Sequence, residues 1–272
     1  MKVSIITPVY NNVSTIADSI ISIKKQTHKN LEHIIIDGQS SDGSLGVINS
    51  MGHYRMMVFS ETDTGVYDAM NKGLNLASGD IIGFVHGDDF IAHEQVIERI
   101  VTAFEDPEIE AVYGNLDYVA KNDKSKILRY WNGSSFSMKN LRNGWMPAHP
   151  TLYIRSHVYE RLGGFNTKFR ISADYDFILR YFLETSSKTV FIPEVLYKMR
   201  TGGISNRCLK NILLKMYEDR CALTNNGVAV IPALLTKNLS KVMQFHAFKN
   251  VIQFTLFGSG PTKTIKFLLN KF

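Results

Sequence analysis

Short apolar runs alternate with amphipathic segments over the first 110 residues of the chain. Val3, Ile5 and Val9 have the spacing of a strand, and Ile16 and Ile20 follow at helical spacing. Further apolar runs predict strands at residues 34–37, 56–59, 81–85 and 111–113, with helices between them. Such alternation predicts an α/β fold with a largely parallel sheet.

Carboxylates follow three of these predicted strands. They are Asp37, Asp63, Asp88 and Asp89. The carboxyl ends of parallel strands meet along one edge of an open sheet, where ligands of such folds usually bind. We therefore expect these four side chains to share one rim.

The alternation changes after about residue 115. The later elements predicted from the pattern are a hairpin at 116–131, helices at 156–162 and 174–183, a strand at 188–200, and two or three helices from about residue 206. We expect a main domain over residues 1–205, with halves at about 1–115 and 116–205. Residues 206–272 form the predicted helical C-terminal extension.

The composition is that of a folded protein with a sizeable core. Of 272 residues, 44% are hydrophobic and 21% are charged, which argues against disorder. No run approaches the roughly 18 to 20 apolar residues of a bilayer span, and the chain after Met1 reads as a strand. Cys208 and Cys221 supply neither a disulfide framework nor a metal-binding knuckle, so we expect reduced thiols. We expect a cytoplasmic protein, neither secreted nor membrane-spanning.

The formal net charge of +6 is distributed unevenly. Residues 1–200 carry 21 Lys and Arg against 23 Asp and Glu, whereas residues 201–272 carry 10 against two. Lysine and phenylalanine interleave in the extension, which suits an anionic membrane surface on the cytoplasmic side. The alternative is that its apolar side packs on the main domain with the lysines in solvent. Nucleic-acid binding is not expected, because the basic excess lies on no recognisable module.

Asp88 and Asp89 are adjacent acids at the end of a predicted buried strand. Two neighbouring carboxylates repel each other unless a cation or hydrogen-bond donors compensate them. Oxygen ligands without histidine or cysteine spacing favour Mg²⁺ or Mn²⁺, which usually bind one or two carboxylates plus substrate phosphates. The pair therefore predicts a metal site for a nucleoside diphosphate. The alternative is a solvated loop or a helix N-cap.

Several motifs, in order along the first 205 residues, resemble the inverting family 2 glycosyltransferases, which have a GT-A fold. They occupy residues 3–11 (VSIITPVYN), 36–44 (IDGQSSDGS), 61–73, 86–89 (HGDD) and 173–177 (ADYDF). The segment at 61–73 is similar to one in the capsule, lipopolysaccharide and exopolysaccharide branch, including colanic-acid-type enzymes. Gly38 stands where the family usually has a second Asp, and His86 where many relatives have Asp or Asn.

This resemblance implies a GT-A nucleotide-binding half at about 1–115 and an acceptor half at about 116–205. It also implies a divalent metal, Mg²⁺ or Mn²⁺, held by Asp89 as the direct ligand and by Asp88, which lies near the ribose or the metal. The donor-binding residues that it implies are Pro8, Tyr10, Asn11, Asp37, Asp63, Tyr67, Lys72 and Asp88.

Asp174 occupies the position of the family's catalytic base, at the start of a predicted helix. Inverting transfer is an in-line displacement, in which an acceptor hydroxyl attacks the anomeric carbon as the nucleoside diphosphate leaves. A carboxylate with a reference pKa of about 3.9 can take the proton late, when bond formation has acidified the hydroxyl. The alternative role for Asp174 is a helix N-cap.

His149 and Arg200 are weaker candidates, for contact with the acceptor or the diphosphate. His149 lies in the acceptor half, where a structural role is equally compatible with the sequence. Arg200 opens a segment, 200–205, that resembles a loop closing over the diphosphate, and its alternative is a plain strand-to-helix turn.

We expect a metal-dependent inverting glycosyltransferase that moves a sugar from a nucleotide donor to a glycan or lipid-linked acceptor of a surface polysaccharide. A sugar-1-phosphate nucleotidyltransferase is a weaker alternative, because it needs a Gly-rich basic loop after the first strand and residues 8–12 (PVYNN) lack one. A catalytically inactive, membrane-tethered scaffold of the same fold is the other alternative. It predicts a degraded series of acids, whereas the acids are present.

Overall fold

The computed structural model describes residues 1–184, 188–202 and 209–243. They form one mixed sheet flanked by helices, which confirms the predicted α/β fold. Four parallel strands build its first half: β1 (Val3–Val9), β2 (Leu31–Asp37), β3 (Met56–Ser60) and β4 (Ile81–Phe84). They lie in the order β3-β2-β1-β4. Every residue of β1, β2 and β4 is buried, as expected for strands covered on both faces.

The second half extends the same sheet. Its strands are β5 (Phe90–Ile91), β6 (Ala111–Ala120), β7 (Asp123–Trp131), β8 (Tyr153–Arg155) and β9 (Thr189–Arg200). β8 runs antiparallel between β4 and β6, while β9 pairs with both β6 and β5. The predicted hairpin is β6–β7, and the short strand predicted at 111–113 is part of β6. The pairing of β9 with β5 brings Arg200 close to the loop that carries Asp88 and Asp89.

Helices cover the sheet and supply most of the remaining core. They are α1 (Ile16–Lys24), α2 (Ser44–Ser50), α3 (Val66–Leu76), α4 (Val96–Ala103), α5 (Met138–Arg142), α6 (Ser156–Leu162), α7 (Ala173–Glu184), α8 (Leu209–Asn225) and α9 (Val230–Met243), with a 3₁₀ turn at His149–Thr151. None within the described ranges is long and apolar enough to cross a bilayer.

The described part of the C-terminal extension packs on the main domain. Ala222, Leu223, Val228 and Ala233 join the same apolar cluster as residues of α3 and α7. Helices α8 and α9 are therefore continuous with the core, as in the alternative that the extension packs on the main domain. The later aromatic and lysine residues of the extension, from 244 onward, lie outside the described residues.

Hydrogen bonds join the loops at the carboxyl ends of β1, β2 and β4. Gly38 N–H donates to Val9 O at 2.9 Å, and the Thr15 hydroxyl donates to Gly87 O at 3.1 Å. Thr15 is also the N-cap residue of α1, in place of the Asn12 or Ser14 that helix-capping preferences predict. Its hydroxyl is directed to the neighbouring loop, so the cap makes no side-chain bond to the helix.

Replacing Gly83 by Ala is expected to destabilise the protein by about 1–3 kcal/mol, the usual cost of overpacking a core. A Cβ at this position of β4 would lie 2.2 Å from Cε1 of buried Tyr153. Gly46→Ala is the control, since a Cβ there meets nothing within 4 Å inside α2 and should stabilise by about 0.5–1 kcal/mol. Urea unfolding measures both, and equal effects of the two substitutions would contradict the assignment of close packing at β4–β8.

Candidate active site

The loops after β1 and β2 form one end of the rim. Asn11 N–H donates to Ser40 Oγ at 2.9 Å, and Ser41 N–H donates to Asn11 Oδ1 at 3.0 Å. Asn11 has a φ of 54°, a left-handed conformation that asparagine tolerates better than most residues. Tyr10 is 64% exposed beside these bonds. The two loops therefore form one unit with an aromatic ring at its open edge.

Asp37 ends β2 and is fully buried. Its carboxylate accepts a hydrogen bond from the Ser60 hydroxyl at 2.7 Å and from Ser40 N–H at 3.2 Å. A carboxylate has about four acceptor sites, so these two donors leave it able to accept more. Asp37 thus lies beneath the loop that carries Tyr10 and Asn11.

Gly38 creates the space that the Asp63 side chain fills. A Cβ on Gly38 would lie 2.3 Å from Asp63 Oδ2 and 3.4 Å from Cδ2 of Tyr10. Asp63 therefore places a carboxylate beside residue 38, where the family's usual second Asp is absent. Burial and the nearby charges of Asp68 and Asp37 raise the pKa of Asp63, against the opposing effects of Gly65 N–H and Lys72.

Tyr67 and Lys72, which the sequence predicts to bind the donor, lie on α3. Both side chains contact other groups of the protein. The Tyr67 side chain is 8% exposed, and its hydroxyl lies 3.0 Å from Asp174 Oδ1. Lys72 Nζ donates to Thr62 O at 2.6 Å and pairs with Glu61 at 3.1 Å. Tyr67 is thus associated with the predicted base, and Lys72 braces the loop before α3.

Asp88 and Asp89 have different environments although they are adjacent. Asp89 is 1% exposed and accepts hydrogen bonds from Arg200 N–H at 2.8 Å and from the Tyr197 hydroxyl at 3.3 Å. Burial and the charge of Asp88 raise the pKa of Asp89 well above its usual value. Asp88 is only partly buried. The side chain at the rim is therefore Asp88, while Asp89 points to the end of β9.

Arg200 braces this loop from the side. Its guanidinium donates to Asp88 O, pairs with Asp18 of α1, and lies 5.1 Å from the centre of the Phe90 ring. It is 6% exposed. These contacts hold the guanidinium against the protein, and the predicted contact of Arg200 with a diphosphate stays a prediction. Residues 203–205 of that predicted loop lie outside the described residues.

Pro8 lies inside β1, and its side chain is buried. Its carbonyl accepts a hydrogen bond from Gly87 N–H at 3.3 Å. The backbone of Pro8 thus fixes the 86–89 loop against β1, and its donor-binding role stays a prediction.

Asp174 is partly buried at the first turn of α7. Burial lowers the pKa of His86, while the charges of Asp88 and Asp174 both oppose this shift. Burial also lowers the pKa of His149 to about 4, with Asp174 opposing and His86 reinforcing the shift. The predicted base and the predicted donor-side carboxylate therefore both lie near His86, and the base also lies near His149.

His149 is part of the core beneath this cluster. It is 5% exposed, and its ring stacks on Phe84 at 5.7 Å and meets Phe165 edge-on at 5.5 Å. Because burial lowers the pKa of His149 to about 4, the imidazole carries no positive charge at neutral pH. His149 thus has a structural role in the core, and its contact with the acceptor or the diphosphate stays a prediction.

The donor groups fit a Mg²⁺ or Mn²⁺ ion that takes most of its ligands from substrate. Within the described residues, no three His, Cys, Asp or Glu side chains converge as a protein-only metal site. Asp88 is a partly exposed carboxylate at the rim, and such ions commonly bind one carboxylate together with substrate phosphates and water.

The sequence pattern did not point to three residues that shape the site. They are Asp18, which pairs with Arg200, Tyr197, which bonds to Asp89, and Glu218, which binds the backbone just before α7. Each is far in sequence from its partner, and none carries a motif. The one signal in the sequence is that Glu218 and Asp219 are the only acids among residues 201–272.

A model of the family described as "Glycosyl transferase family 2" matches residues 4–166. The chain is 28% identical over 246 residues to a "PGL/p-HBAD biosynthesis glycosyltransferase" of Mycobacterium bovis, covering 88% of this chain and 93% of that relative. It is 29% identical over 208 residues to an uncharacterised glycosyltransferase of Mycobacterium tuberculosis, covering 75% and 77%. These relatives are mycobacterial glycosyltransferases and are not specifically of the capsule or colanic-acid type.

Solved structures share the fold at low sequence identity. S. aureus TarS 1-349 in complex with UDP-GlcNAc has a TM-score of 0.66 at 16% identity, covering 95% of this chain and 76% of that one. The mannosyltransferase PcManGT from Pyrobaculum calidifontis, in complex with GDP-Man and Mn²⁺, has a TM-score of 0.60 at 16% identity, covering 99% and 79%. The predicted GT-A architecture is confirmed by this likeness.

Acid is expected to destabilise the wild type more than a His149→Gln variant. His149 has a pKa of about 4 in the folded protein and about 6.5 when unfolded, so stability is lost as the pH falls from about 6.5 to about 4. The loss approaches about 3 kcal/mol over that window. Urea unfolding at pH 7, 6, 5 and 4.5 measures the difference between the two proteins. Taking the difference removes the effect of His33, whose pKa burial lowers to about 3 in both proteins. Identical pH dependence would contradict a buried neutral His149.

Proposed function

Because the chain belongs to glycosyl transferase family 2, we propose that it transfers a sugar, with inversion, from a nucleoside-diphosphate donor to a hydroxyl of a glycan or lipid-linked acceptor. The observation that carries the proposal is that Asp88 and Asp174 both lie close enough to His86 for their charges to raise its pKa, against the effect of burial. Asp88, proposed for the diphosphate side, and Asp174, proposed for the attacking hydroxyl, are thus held near the same side chain.

The nucleotide end of the donor would bind between the loops after β1 and β2. Tyr10 offers an exposed ring for stacking on the base, and Asp37 and Asp63 offer acceptors for its polar edge. Asp63 supplies a carboxylate beside Gly38, so we assign base contact to Asp63 as well as Asp37. The related folds include one complex with UDP-GlcNAc and one with GDP-Man, and the nucleotide of this protein is left open.

Asp88 is the residue that we assign to the metal. A bound Mg²⁺ or Mn²⁺ would neutralise the negative charge that develops on the departing diphosphate. Asp89 orients the loop through the end of β9, because Arg200 N–H and the Tyr197 hydroxyl already bond to its carboxylate. This assignment reverses the order of the two acids in the sequence prediction.

Asp174 is the proposed general base. The acceptor oxygen forms a bond to the anomeric carbon, the bond from that carbon to the diphosphate oxygen breaks, and the electron pair leaves with the diphosphate. The proton of the acceptor hydroxyl passes to Asp174. His149 and His86 stay neutral beside it, so they add no competing positive charge. A β linkage follows from an α-linked donor and the opposite from a β-linked one.

The outer face of α8 supports a peripheral location on an anionic membrane, where a lipid-linked acceptor for surface-polysaccharide synthesis would be presented. Four large apolar side chains are exposed on this helix: Ile212, Leu213, Met216 and Tyr217. Its two acids, Glu218 and Asp219, are buried, whereas Lys210 and Arg220 are exposed. An apolar face flanked by cations and free of exposed acids suits the headgroup region of anionic lipids.

Asp174→Asn is expected to lower the rate of sugar transfer by about 10²–10⁴-fold, the usual contribution of a general base. Donor binding should persist, because the proposed donor contacts lie on other loops. Asp88→Asn should instead abolish the Mn²⁺-dependent part of thermal stabilisation by the nucleotide sugar. Calorimetry and thermal shifts with UDP, GDP and dTDP sugars, followed by transfer assays, measure these effects.

Glu105→Gln, at an exposed site, is the control for loss of one negative charge. Full transfer activity in Asp174→Asn would overturn the assignment of the base. If no nucleotide sugar binds the wild type with or without metal, the inactive-scaffold alternative replaces the proposal.

The double substitution Leu213→Glu with Tyr217→Glu is expected to weaken binding to vesicles containing anionic phosphatidylglycerol by at least about tenfold, because two apolar side chains leave the interface and two negative charges enter it. Tyr54→Glu is the control, since Tyr54 is 87% exposed on the loop before β3. Sedimentation with vesicles of anionic or purely zwitterionic lipid measures the change. Equal binding by both variants would exclude the α8 face as the contact.

A further inference from the structure

Helix α8 lies beyond the family match at residues 4–166, yet it binds the backbone directly before the proposed base. We call residues 170–172 the base loop, because α7 and Asp174 follow them at once. The Glu218 carboxylate of α8 is 4% exposed. Its Oε1 accepts a hydrogen bond from Arg170 N–H at 2.9 Å, and its Oε2 accepts from Ile171 N–H at 2.8 Å and Ser172 N–H at 3.0 Å.

Three consecutive backbone donors converging on one carboxylate are a specific arrangement. An ionised carboxylate only accepts hydrogen bonds, and bonds from N–H groups to a charged oxygen are stronger than neutral ones. The site also lies at the N-terminal end of α7, where a negative charge is favoured by the helix dipole. Glu218 therefore stabilises one conformation of the base loop.

The neighbouring Asp219 anchors Glu218 and the base loop to the rest of the extension. Its carboxylate accepts from the Ser172 hydroxyl at 2.8 Å and pairs with Lys215 and Lys237, each at 3.0 Å. Burial alone would raise its pKa, but Lys237 and Lys215 lower the pKa of Asp219 to about 2. Lys237 also lies 3.1 Å from the centre of the Tyr175 ring. Helices α8 and α9 thus hold the start of α7 through charged groups.

Tyr67 holds the base loop from the opposite side. Its hydroxyl lies 2.7 Å from Ile171 O and 3.0 Å from Asp174 Oδ1. Burial and the charge of Asp174 raise the pKa of Tyr67 well above its usual value, so the hydroxyl keeps its proton. The single hydroxyl proton of Tyr67 thus has two possible acceptors, Ile171 O and the Asp174 carboxylate. The position of Ile171 decides whether both stay within hydrogen-bonding distance.

We infer that Glu218 and Tyr67 are positioning residues for Asp174: Glu218 fixes the base loop from α8, so that Tyr67 can bond to both Ile171 O and the Asp174 carboxylate. This inference rests on the proposed function of Asp174. While Asp174 is ionised, the Tyr67 proton is donated to it. After Asp174 takes the acceptor's proton, it donates to the Tyr67 oxygen, and the Tyr67 proton turns to Ile171 O. The base is then hydrogen-bonded in both protonation states, and no proton leaves the pair.

The catalytic unit consequently includes α8. A chain ending near residue 205 would retain the proposed donor contacts and Asp174 but lose the carboxylate that orders the loop before it. The family match alone does not contain this group.

Glu218→Gln is expected to lower kcat by about 10- to 100-fold, the cost of a small displacement of a reacting group. The amide has the shape of the carboxylate, but its NH₂ group faces backbone donors and cannot accept from them. The KM for the donor should not change, because Glu218 contacts no proposed donor residue. Glu160→Gln, the same change at an exposed position of α6, is the matched control and should leave kcat as in the wild type.

A double-mutant cycle separates positioning from general stability. If Glu218 acts through Asp174, Glu218→Gln should cause no further loss of kcat in the Asp174→Asn background. An equal fold-loss in both backgrounds, or an unchanged kcat in the single variant, would overturn the inference. Full activity of Asp174→Asn itself would instead overturn the proposed function, so the two failures are distinguishable.

Tyr67→Phe decides the question if Glu218→Gln fails to fold, as judged by circular dichroism. This variant keeps the buried ring and its packing on Phe165 and removes only the hydroxyl. The expected result is again a lower kcat with an unchanged donor KM and no added loss beside Asp174→Asn. An unchanged kcat would overturn the inference.

Discussion

The buried carboxylate of Asp89 is the constraint on which the rest of the rim depends. A carboxylate out of water needs hydrogen-bond donors, and two of them come from the end of β9, Arg200 N–H and the Tyr197 hydroxyl. This contact closes the loop after β4 onto the last strand of the sheet. Since Asp89 is turned inward, Asp88 is left at the rim. The Arg200 guanidinium then joins the same loop to Asp18 of α1.

Two neutral histidines, His86 and His149, lie close to the carboxylates to which we assign the two chemical roles. His149 lies among aromatic rings, and burial lowers the pKa values of both His149 and His86, so that both are uncharged at neutral pH. Neutral rings allow Asp88 and Asp174 to act on opposite sides of one small region without pairing to a cation there. In the proposed mechanism, the separation of the diphosphate side from the acceptor side therefore depends on the neutral histidines as well as on Asp88 and Asp174.

Helix α8 serves two surfaces of the molecule at once. Its inner face supplies Glu218 and Asp219 to the loop before α7, while its outer face exposes apolar residues and cations. With both acids used internally, the outer face carries no exposed negative charge over the described part of α8. A helix that orders the proposed base and also faces a membrane would place the reaction close to a lipid-linked acceptor.

The positions of strands β1–β4 along the chain, the α/β class and the acids at strand ends followed from the sequence, because apolar periodicity and strand-end position are local properties. The same holds for the choice of Asp174, which a local motif marks. Tertiary structure alone decided that Asp89 turns inward, that Asp63 fills the space beside Gly38, that Tyr67 bonds to Asp174, and that Glu218 holds the base loop. Each of these four contacts joins residues that are between 25 and 111 positions apart in the sequence. Side-chain direction at such contacts is set by which strands and helices pack together, and no periodicity in one segment records its distant partner.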